Sequence, residues 1–316
     1  MRTTAKTHRM AIYDAFFGFR TPPFSLSPDP TFLFLGRRHR EALAGLLYMV
    51  SDGKGFAMLT GEVGTGKTTL VHTLLTQLGD RAKTAVVFNP RLSSRELEQH
   101  LLAEFGLPRH ISEVERFRAL REFLLEQFRA GVRVLVVIDE AHALSADLLD
   151  EIRLLSNFET SQAKLLQILL VGQSELVALL ERPELRQLRQ RLAFRFDLTP
   201  FGFGETIDYV RSRMTRAGAA YEAFTPSAYA ALYRYGGGLP RLINTLCDNA
   251  LLSAFARDEK QVAGRHVRQA ARDLSLKPAG RVPLWERVLV RYHKADTETD
   301  PQVLARTVQQ PLGSRK

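Results

Sequence analysis

The sequence contains a single cysteine and no long uncharged apolar run. Because Cys247 is the only thiol among 316 residues, an intramolecular disulfide and a zinc site built from several cysteines are both excluded. No stretch approaches the roughly 18 uncharged apolar residues that a membrane-spanning helix requires, and the N-terminal stretch lacks the apolar core of a signal peptide. We therefore expect a cytoplasmic protein without a membrane span.

Acidic residues are fewer than basic ones, with 34 Asp and Glu against 44 Lys and Arg and a net charge of +10. The excess lies at the two ends, because residues 61–256 are neutral whereas residues 1–60 carry +4 and residues 257–316 carry +6. A basic end attracts nucleic acid, anionic lipid or an acidic protein surface, or only increases solubility. The charge alone does not choose among these alternatives.

Short apolar runs alternate with amphipathic stretches as far as residue 200, in a chain that is 45% hydrophobic overall. Continuous apolar runs separated by helices are typical of parallel strands that helices cover on both faces. Strands are predicted at 55–60, 84–89, 132–139, 165–172 and 194–198. Helices are predicted between them at 68–78, 94–105, 112–130 and 145–158. The pattern therefore predicts an α/β domain around a five-stranded parallel sheet.

After residue 200 the apolar residues have helical spacing only. Helices are predicted at 202–217, 225–235, 239–256 and 262–274. Thr225 and Pro226 suit the N-cap and first turn of the second of these helices, and three glycines at 236–238 separate it from the third. This region is expected to form a small all-helical lid domain.

The predicted domain limits follow from the positions of the prolines, from the end of the last predicted strand and from the distribution of charge. Four prolines between residues 21 and 40 disfavour helix in the residues before them, so residues 1–40 are predicted to form an extended N-terminal segment. The α/β domain is predicted to cover residues 41–200 and the lid residues 201–275. Residues 276–316 are predicted to be a basic C-terminal tail.

The segment GEVGTGKT at 61–68 matches G-x-x-x-x-G-K-[ST] and lies between a predicted strand and a predicted helix. Backbone N–H groups of such a phosphate loop surround an anion, Lys67 would reach the β and γ phosphates, and Thr68 would bind Mg²⁺. A chance glycine-rich turn is the alternative, which the flanking strand and helix disfavour. The residues predicted to bind nucleotide are Gly61, Glu62, Val63, Gly64, Thr65, Gly66, Lys67, Thr68 and Thr69.

Two carboxylates, Asp139 and Glu140, follow the most apolar strand. An Asp at the carboxyl end of a buried strand beside a phosphate loop can hold Mg²⁺, while the next carboxylate can polarise the attacking water. We therefore predict Asp139 as a metal ligand and Glu140 as the catalytic base; simple capping of the strand is the alternative. His142 completes the string DEAH and is expected to have a structural or supporting role.

Gln173 follows the next strand, where a polar side chain would position the attacking water or sense the γ phosphate. An ordinary loop glutamine is the alternative. Arginine can stabilise phosphoryl charge at a neighbouring active site, and Arg191 and Arg189 are the candidates because they precede the fifth strand. Arg241 begins a lid helix after the glycines, where it would reach the γ phosphate and couple nucleotide state to the lid angle.

These features together resemble those of the AAA+ ATPases. A closer resemblance is to the N-terminal ATPase of the general secretion pathway protein A (ExeA) family. It is carried by YDAFFGFRTPPFSLSPDPTFLFLGRRHREALAGLLYMV and the following GFAMLTGEVGTGKTTL. The resemblance continues through DEAH, the arginine segment and GGLPRLIN, and so covers about residues 13–275.

The resemblance implies a Mg²⁺-dependent ATPase that hydrolyses ATP, forms homo-oligomers and serves a secretion, pilus or envelope-assembly machine. Its location would then be cytoplasmic, or peripheral to the inner membrane through partners. The resemblance also implies that the N-terminal segment packs beside the adenine. Phe24, Phe34 and His39 would then lie near the base, although ordinary packing explains each of them equally.

The secretion proteins of the family continue into a transmembrane segment and a periplasmic peptidoglycan-binding domain, and this sequence contains neither. We therefore expect it to resemble the stand-alone members of the family. The alternative is a nucleotide-switched, DNA-binding regulator of the transposition type, which the basic ends favour. A third hypothesis, an ATP-binding scaffold, is disfavoured by the presence of Glu140, Gln173 and Arg191.

Overall fold

The computed structural model of the chain describes residues 11–26, 29–88, 92–108, 112–160 and 163–279. The strands are β1 (Phe56–Gly61), β2 (Ala82–Val87), β3 (Arg133–Ile138), β4 (Leu166–Val171) and β5 (Leu192–Leu198). The α-helices are α1 (Asp14–Phe17), α2 (Arg37–Asp52), α3 (Lys67–Leu78), α4 (Ser94–Glu104), α5 (Glu113–Arg129), α6 (Ala146–Leu155), α7 (Glu175–Leu180), α8 (Arg186–Arg191), α9 (Phe203–Arg216), α10 (Pro226–Gly236), α11 (Pro240–Phe255) and α12 (Gly264–Asp273). Short 3-10 turns lie at Pro30–Phe32, Gly79–Arg81, Ala141–Ala143 and Pro183–Leu185.

The apolar runs of the sequence form the central strands of one parallel sheet. All residues of β1 and β4 are buried, as are those of β3 after its first residue. Strand β5 is more exposed, because it lies at the sheet edge and pairs only with β1. The predicted five-stranded α/β sheet is confirmed, and each strand begins and ends within two residues of its predicted limits.

The strand order, β2-β3-β4-β1-β5, determines which loops meet. Because β4 lies between β3 and β1, the segments that follow these three strands emerge side by side at the carboxyl edge of the sheet. Ligands of open parallel sheets bind at this edge. The phosphate loop leaves β1, while Asp139 follows β3 and Gln173 follows β4, so the predicted site elements converge there.

Helix α2 corrects the predicted extent of the N-terminal segment. The prediction placed residues 1–40 in an extended conformation, whereas α2 begins at Arg37. The reason is that the prolines, which disfavour helix, end at Pro30. The predicted domain limit therefore falls inside a helix. Gly45 lets α2 approach the sheet, because a Cβ atom at this position would come 2.2 Å from the ring of Phe196.

Helices α9 to α12 pack around one apolar core and form the lid. Thr225 caps α10 through its side chain and Pro226 occupies the first turn, as predicted. Gly237 ends α10 in the left-handed conformation with φ of +57°. A Cβ atom at Gly238 would come 2.1 Å from the carbonyl oxygen of Phe201. The predicted break between α10 and α11 therefore needs glycine at both of these positions.

Residues 11–26 and 29–35 precede α2, and we call them the N-terminal strap. Its aromatic side chains lie in the apolar core of the lid and not in that of the α/β domain. The buried strap residues in that core are Tyr13, Phe17, Phe19, Phe24 and Phe32. Arg213 of α9 is buried and donates hydrogen bonds to the carbonyl oxygens of Pro23 at 2.5 Å and Ser25 at 3.4 Å. The strap and the lid therefore share one core.

The described part of the chain contains no helix that is both long and apolar enough to cross a membrane. Residues 1–10 and 280–316 lie outside the described residues. The predicted basic tail, residues 276–316, is therefore described only at its first four positions. Within the two ends that carry the net positive charge, the structure describes residues 11–26, 29–60 and 257–279.

Candidate nucleotide-binding site

The loop from Gly61 to Lys67 turns tightly between the end of β1 and the start of α3. At Gly61, where φ is +153°, a Cβ atom would come 2.6 Å from the carbonyl oxygen of Leu198. Gly66 caps α3 with a φ of +100°, a left-handed conformation that glycine adopts without strain. The loop needs glycine at both positions. The first turn of α3 then supplies free backbone N–H groups that can bind an anion.

The predicted loop residues other than glycine are either buried or exposed. Thr65 is buried, and its hydroxyl donates to the carbonyl oxygen of Glu62 at 2.9 Å, which closes the loop on itself. The exposed positions are Glu62, Val63, Thr68 and Thr69. The hydroxyl-bearing residue Thr68 is thus accessible in the first turn of α3.

Lys67 is a buried cation at the start of α3. Its Nζ donates hydrogen bonds to the carbonyl oxygens of Gly61 at 2.7 Å and Glu62 at 3.0 Å. Burial lowers the pKa of this ammonium, and the carboxylates of Glu140 and Asp139 oppose the shift. The ammonium lies on the loop itself, where it can bind phosphate oxygens.

The two predicted carboxylates lie after β3 in different environments. Asp139 is buried, and its Oδ1 accepts a hydrogen bond from the backbone N–H of Glu140 at 2.9 Å. Burial raises the pKa of Asp139, and the charge of Lys67 opposes the shift. Glu140 has a φ of +54°, which is strained for a residue with a side chain. Its side chain is 48% exposed, so that one carboxylate is buried and the next is open to solvent.

The donor set at this edge of the sheet suits Mg²⁺. Magnesium takes oxygen ligands and is bound by one or two carboxylates together with substrate phosphates and water. Asp139 offers a carboxylate, and Thr68 offers an accessible hydroxyl. Within the described residues, no group of three or more His, Cys, Asp or Glu side chains could hold a metal ion. The residues present therefore fit a cation that arrives with a nucleotide.

Gln173 contacts His142 through its main chain and its side chain. Its backbone N–H donates to His142 Nδ1 at 3.3 Å, and its carboxamide nitrogen lies 3.2 Å from His142 Nε2. His142 Nδ1 also lies 3.5 Å from a carboxylate oxygen of Glu140. A histidine thus lies between the predicted sensor and the predicted base. Sequence reasoning missed this contact, which links residues 31 positions apart.

Arg241 lies in the first turn of α11, directly after Pro240. Its backbone N–H donates a hydrogen bond of 3.3 Å to the carbonyl oxygen of Gly64. Its own Cβ would be only 3.0 Å from a Cβ atom placed on Gly64. The structure therefore brings this predicted sensor arginine into contact with the phosphate loop.

Arg189 and Arg191 lie at the opposite end of the sheet. Both precede β5, whose last residue, Leu198, pairs with the start of the phosphate loop. The two ends of a seven-residue strand are about 20 Å apart, so neither arginine is near the site of its own chain. Arg191 donates to the carbonyl oxygen of Arg153 at 3.0 Å, whereas Arg189 lies 3.6 Å from a carboxylate oxygen of Glu181.

Of the three aromatic or imidazole residues expected near a base, His39 and Phe34 both pack against Phe201, whereas Phe24 lies in the lid core. His39 is buried beneath the phosphate loop, and its Nε2 donates to the carbonyl oxygen of Thr65 at 2.8 Å. Burial lowers the pKa of His39. Phe34 packs edge-on against Phe201, with 5.5 Å between ring centroids. Phe24 is 2% exposed within the lid core, so the structure brings His39 to the loop and places Phe24 elsewhere.

Comparisons with known proteins give a family and a relative. Residues 50–180 match the family described as the AAA domain. Over 266 residues, or 84% of this chain, the sequence is 44% identical to general secretion pathway protein A of Aeromonas hydrophila. The chain spans about half the length of that relative, 49%. The relationship therefore concerns part of the longer protein.

Solved structures resemble the chain in fold. The ORC2 protein of Aeropyrum pernix, in ADPNP–ADP complexes, matches with a TM-score of 0.61 at 19% identity, over 81% of this chain and 72% of that chain. Drosophila ORC bound to DNA matches with a TM-score of 0.63 at 20% identity, over 88% and 70%. The RuvB Holliday junction branch migration motor of Thermotoga maritima gives 0.53 at 17% identity, over 87% and 82%. Such low identities establish the fold alone.

Proposed function

Because the chain belongs to the AAA+ P-loop proteins and is related to general secretion pathway protein A, we propose that it binds ATP with Mg²⁺ and hydrolyses it. The observation that carries this proposal is the convergence of a buried cation, two carboxylates and a carboxamide at the carboxyl edge of one parallel sheet. These groups are Lys67, Asp139, Glu140 and Gln173.

Binding depends on the phosphate loop and its lysine. The backbone N–H groups of the loop and of the first turn of α3 bind phosphate oxygens, and Lys67 adds a positive charge that burial leaves weakly hydrated. Thr68 and Asp139 would hold Mg²⁺ against the phosphates, and the ion would neutralise part of their charge. The main-chain contact between Arg241 and Gly64 places a second cation beside the loop.

Glu140 and Gln173 have separate roles in hydrolysis. Glu140, which is accessible to solvent, takes a proton from water while the water oxygen forms a bond to the γ phosphorus. The bond from that phosphorus to the β–γ bridging oxygen breaks, and ADP leaves with the electron pair. Gln173 orients the water or the γ phosphate, and Lys67 stabilises the charge that develops on the phosphate oxygens.

A neighbouring copy of the chain would complete the site. Because Arg189 and Arg191 lie about 20 Å from their own phosphate loop along β5, an arginine from this segment can act only in another subunit. Arg189 is the stronger candidate, because Arg191 already bonds to the C-terminal end of α6 through the carbonyl oxygen of Arg153 and the hydroxyl of Ser156. We therefore propose a homo-oligomer as the active form.

The test of the proposed function compares two lysines. Lys67→Ala should weaken ATP binding by at least about tenfold and abolish turnover, because it removes the buried cation of the loop. Lys54→Ala, which removes a lysine 42% exposed at the end of α2, should leave both unchanged. ATP affinity and phosphate release are measured with and without Mg²⁺. Equal affinity and turnover in the two variants would contradict the proposal.

The cellular role is proposed from the relative alone. Identity of 44% to general secretion pathway protein A supports service to a secretion, pilus or envelope-assembly machine, with the protein peripheral to the inner membrane through partners. The net charges of +4 and +6 at the two ends favour the alternative, a nucleotide-switched protein that binds DNA through phosphate contacts.

ATPase rates with and without duplex DNA separate these two roles. DNA binding through the basic ends predicts stimulation that falls steeply with salt, and it predicts loss of that stimulation when residues 276–316 are deleted. A secretion role predicts no response to DNA and recovery of the protein with inner-membrane partners.

A further inference from the structure

The proposed chemistry assigns no task to His142, although its ring joins the two loops of the site. The residue lies in the turn Ala141–Ala143 that follows Glu140, and its side chain is 18% exposed. A Cβ atom at Gly172 would come 3.2 Å from the backbone nitrogen of His142. The close approach of the two backbones places the imidazole ring beside Gln173.

The backbone of Gln173 determines which nitrogen of the ring carries the proton. Its N–H group can only donate, and it lies 3.3 Å from His142 Nδ1. Nδ1 must therefore accept, and a neutral imidazole that accepts at Nδ1 carries its hydrogen at Nε2. Since Nδ1 is the acceptor in this contact, it cannot at the same time donate to the Glu140 carboxylate 3.5 Å away.

The protonated Nε2 in turn determines the orientation of the Gln173 carboxamide, whose terminal group lies 3.2 Å from it. A ring N–H pairs with an amide oxygen and not with an amide NH₂ group, and the two ends of a carboxamide are assigned from their hydrogen-bond partners. The two ends of the Gln173 carboxamide are therefore exchanged relative to the contact described above, so that the oxygen faces His142 and the NH₂ group faces away from the ring. That group can donate to a phosphate oxygen.

We propose that His142 is a positioning residue, which holds the Gln173 carboxamide so that its NH₂ group donates to the γ phosphate during hydrolysis. The assignment rests on the proposed ATPase function of the site. His142 itself touches neither the nucleotide nor the water, and acts only through Gln173. Without it, the carboxamide can turn about its last side-chain torsion and present its oxygen to the phosphate, where two acceptors repel each other.

Two conservative variants separate this role from a merely structural one. His142→Gln places an amide NH₂ near the position of Nε2 and preserves the contact with the carboxamide. His142→Asn places its amide near the position of Nδ1 and preserves only the contact with the backbone of Gln173. The experiment measures kcat and KM for ATP in both variants, in His142→Ala, in Gln173→Ala and in the double variant His142→Ala/Gln173→Ala. Thermal unfolding of each variant is followed in parallel.

The expected result is a fall in kcat of about tenfold or more for His142→Ala, with KM within about threefold of the wild-type value. His142→Gln should recover most of this loss and His142→Asn should not. The double variant should be no slower than Gln173→Ala, because the histidine acts through the glutamine.

Three results would overturn the assignment: a wild-type kcat for His142→Ala, equal recovery by the Gln and Asn variants, or losses that multiply in the double variant. Failure of the proposed function would look different. The wild-type chain would then show no more turnover than Lys67→Ala, and no comparison among the His142 variants would be needed.

Discussion

The backbone N–H of Arg241 donates a hydrogen bond to the carbonyl oxygen of Gly64, and this bond joins the lid to the phosphate loop. The N–H belongs to the first turn of α11, where backbone donors have no partner within the helix. Pro240 is the first residue of α11 and has no N–H, so Arg241 carries the first backbone N–H of that helix. The main chain holds the lid to the loop, so this contact does not occupy the guanidinium of Arg241.

Arg241→Ala should therefore lower catalysis without undocking the lid. Because the main-chain bond to Gly64 is retained, we expect the melting temperature to stay within about 2 °C of the wild-type value. Loss of the guanidinium should lower kcat by about tenfold or more. Arg257→Ala, which removes an exposed arginine beyond the other end of α11, is the control and should turn over ATP normally. An unchanged kcat for Arg241→Ala would remove the side chain from the mechanism.

Arg189→Ala should inactivate the site of a neighbouring subunit and not its own. Alone, the variant should lose about a hundredfold or more of its turnover, and Glu140→Gln should do the same. A mixture of the two should regain part of the activity, because interfaces form in which an intact Arg189 meets an intact Glu140. Arg186→Ala, from the exposed start of α8, serves as the control. If the mixture stays as inactive as its components while both still oligomerise, the arginine does not act between subunits.

Arg213→Met should destabilise the protein through the strap. The buried guanidinium bonds to the carbonyl oxygens of Pro23 and Ser25, and the substitution removes both of these bonds at a cost of about 2 kcal/mol or more. Arg216→Met is the matched control, since Arg216 is exposed on the same helix and donates to the carbonyl oxygen of Thr31. That change should cost about 1 kcal/mol or less. Urea unfolding measures the free energy of unfolding of both variants. Equal losses of stability would contradict the shared core of strap and lid.

His39 should make the folded state less stable in mild acid. Burial lowers its pKa below the ordinary value of 6.5, so the unfolded chain binds more protons once the pH falls below about 6.5. The free energy of unfolding should therefore decrease as the pH falls through that region. His39→Gln keeps a donor for the Thr65 carbonyl and does not titrate, so it should reduce the decrease.

The pH experiment compares unfolding at about pH 7.5 and about pH 5.5. His266, whose pKa is also lowered by burial, contributes a decrease of its own, so the His39→Gln variant should keep part of the effect. His72→Gln, a change at an exposed position of α3, is the control. A decrease as large in His39→Gln as in the wild type would show that His39 is not the group responsible.

The sheet and the phosphate loop were predictable because their signals are local. A short apolar run rich in valine, such as that within residues 132–139, is typical of a buried parallel strand, and GEVGTGKT is typical of a turn between a strand and a helix. The start of α2 at Arg37 was harder to predict from the sequence. The prolines up to Pro30 indicate where helix is disfavoured, but they do not indicate where helix begins again.

The contacts that were missed are long-range and use ordinary residues. The aromatic residues of the strap predict burial, but nothing in their spacing says that Phe17 or Phe24 packs in the lid core and not under the sheet. The pairing of His142 with Gln173 depends on β3 and β4 being neighbours, which is a property of strand order. Sequence alone gives each residue a place on its own element, whereas topology decides which elements meet.

The central claim is that Glu140 is the base of an ATP-hydrolysing site. Phosphate release by Glu140→Gln at saturating Mg²⁺ and ATP, with ATP affinity measured on the same sample, tests it most directly. We predict that turnover falls by about a hundredfold or more while affinity stays within about threefold of the wild type, because the carboxylate acts on water and not on the nucleotide. Wild-type turnover in this variant would contradict the claim.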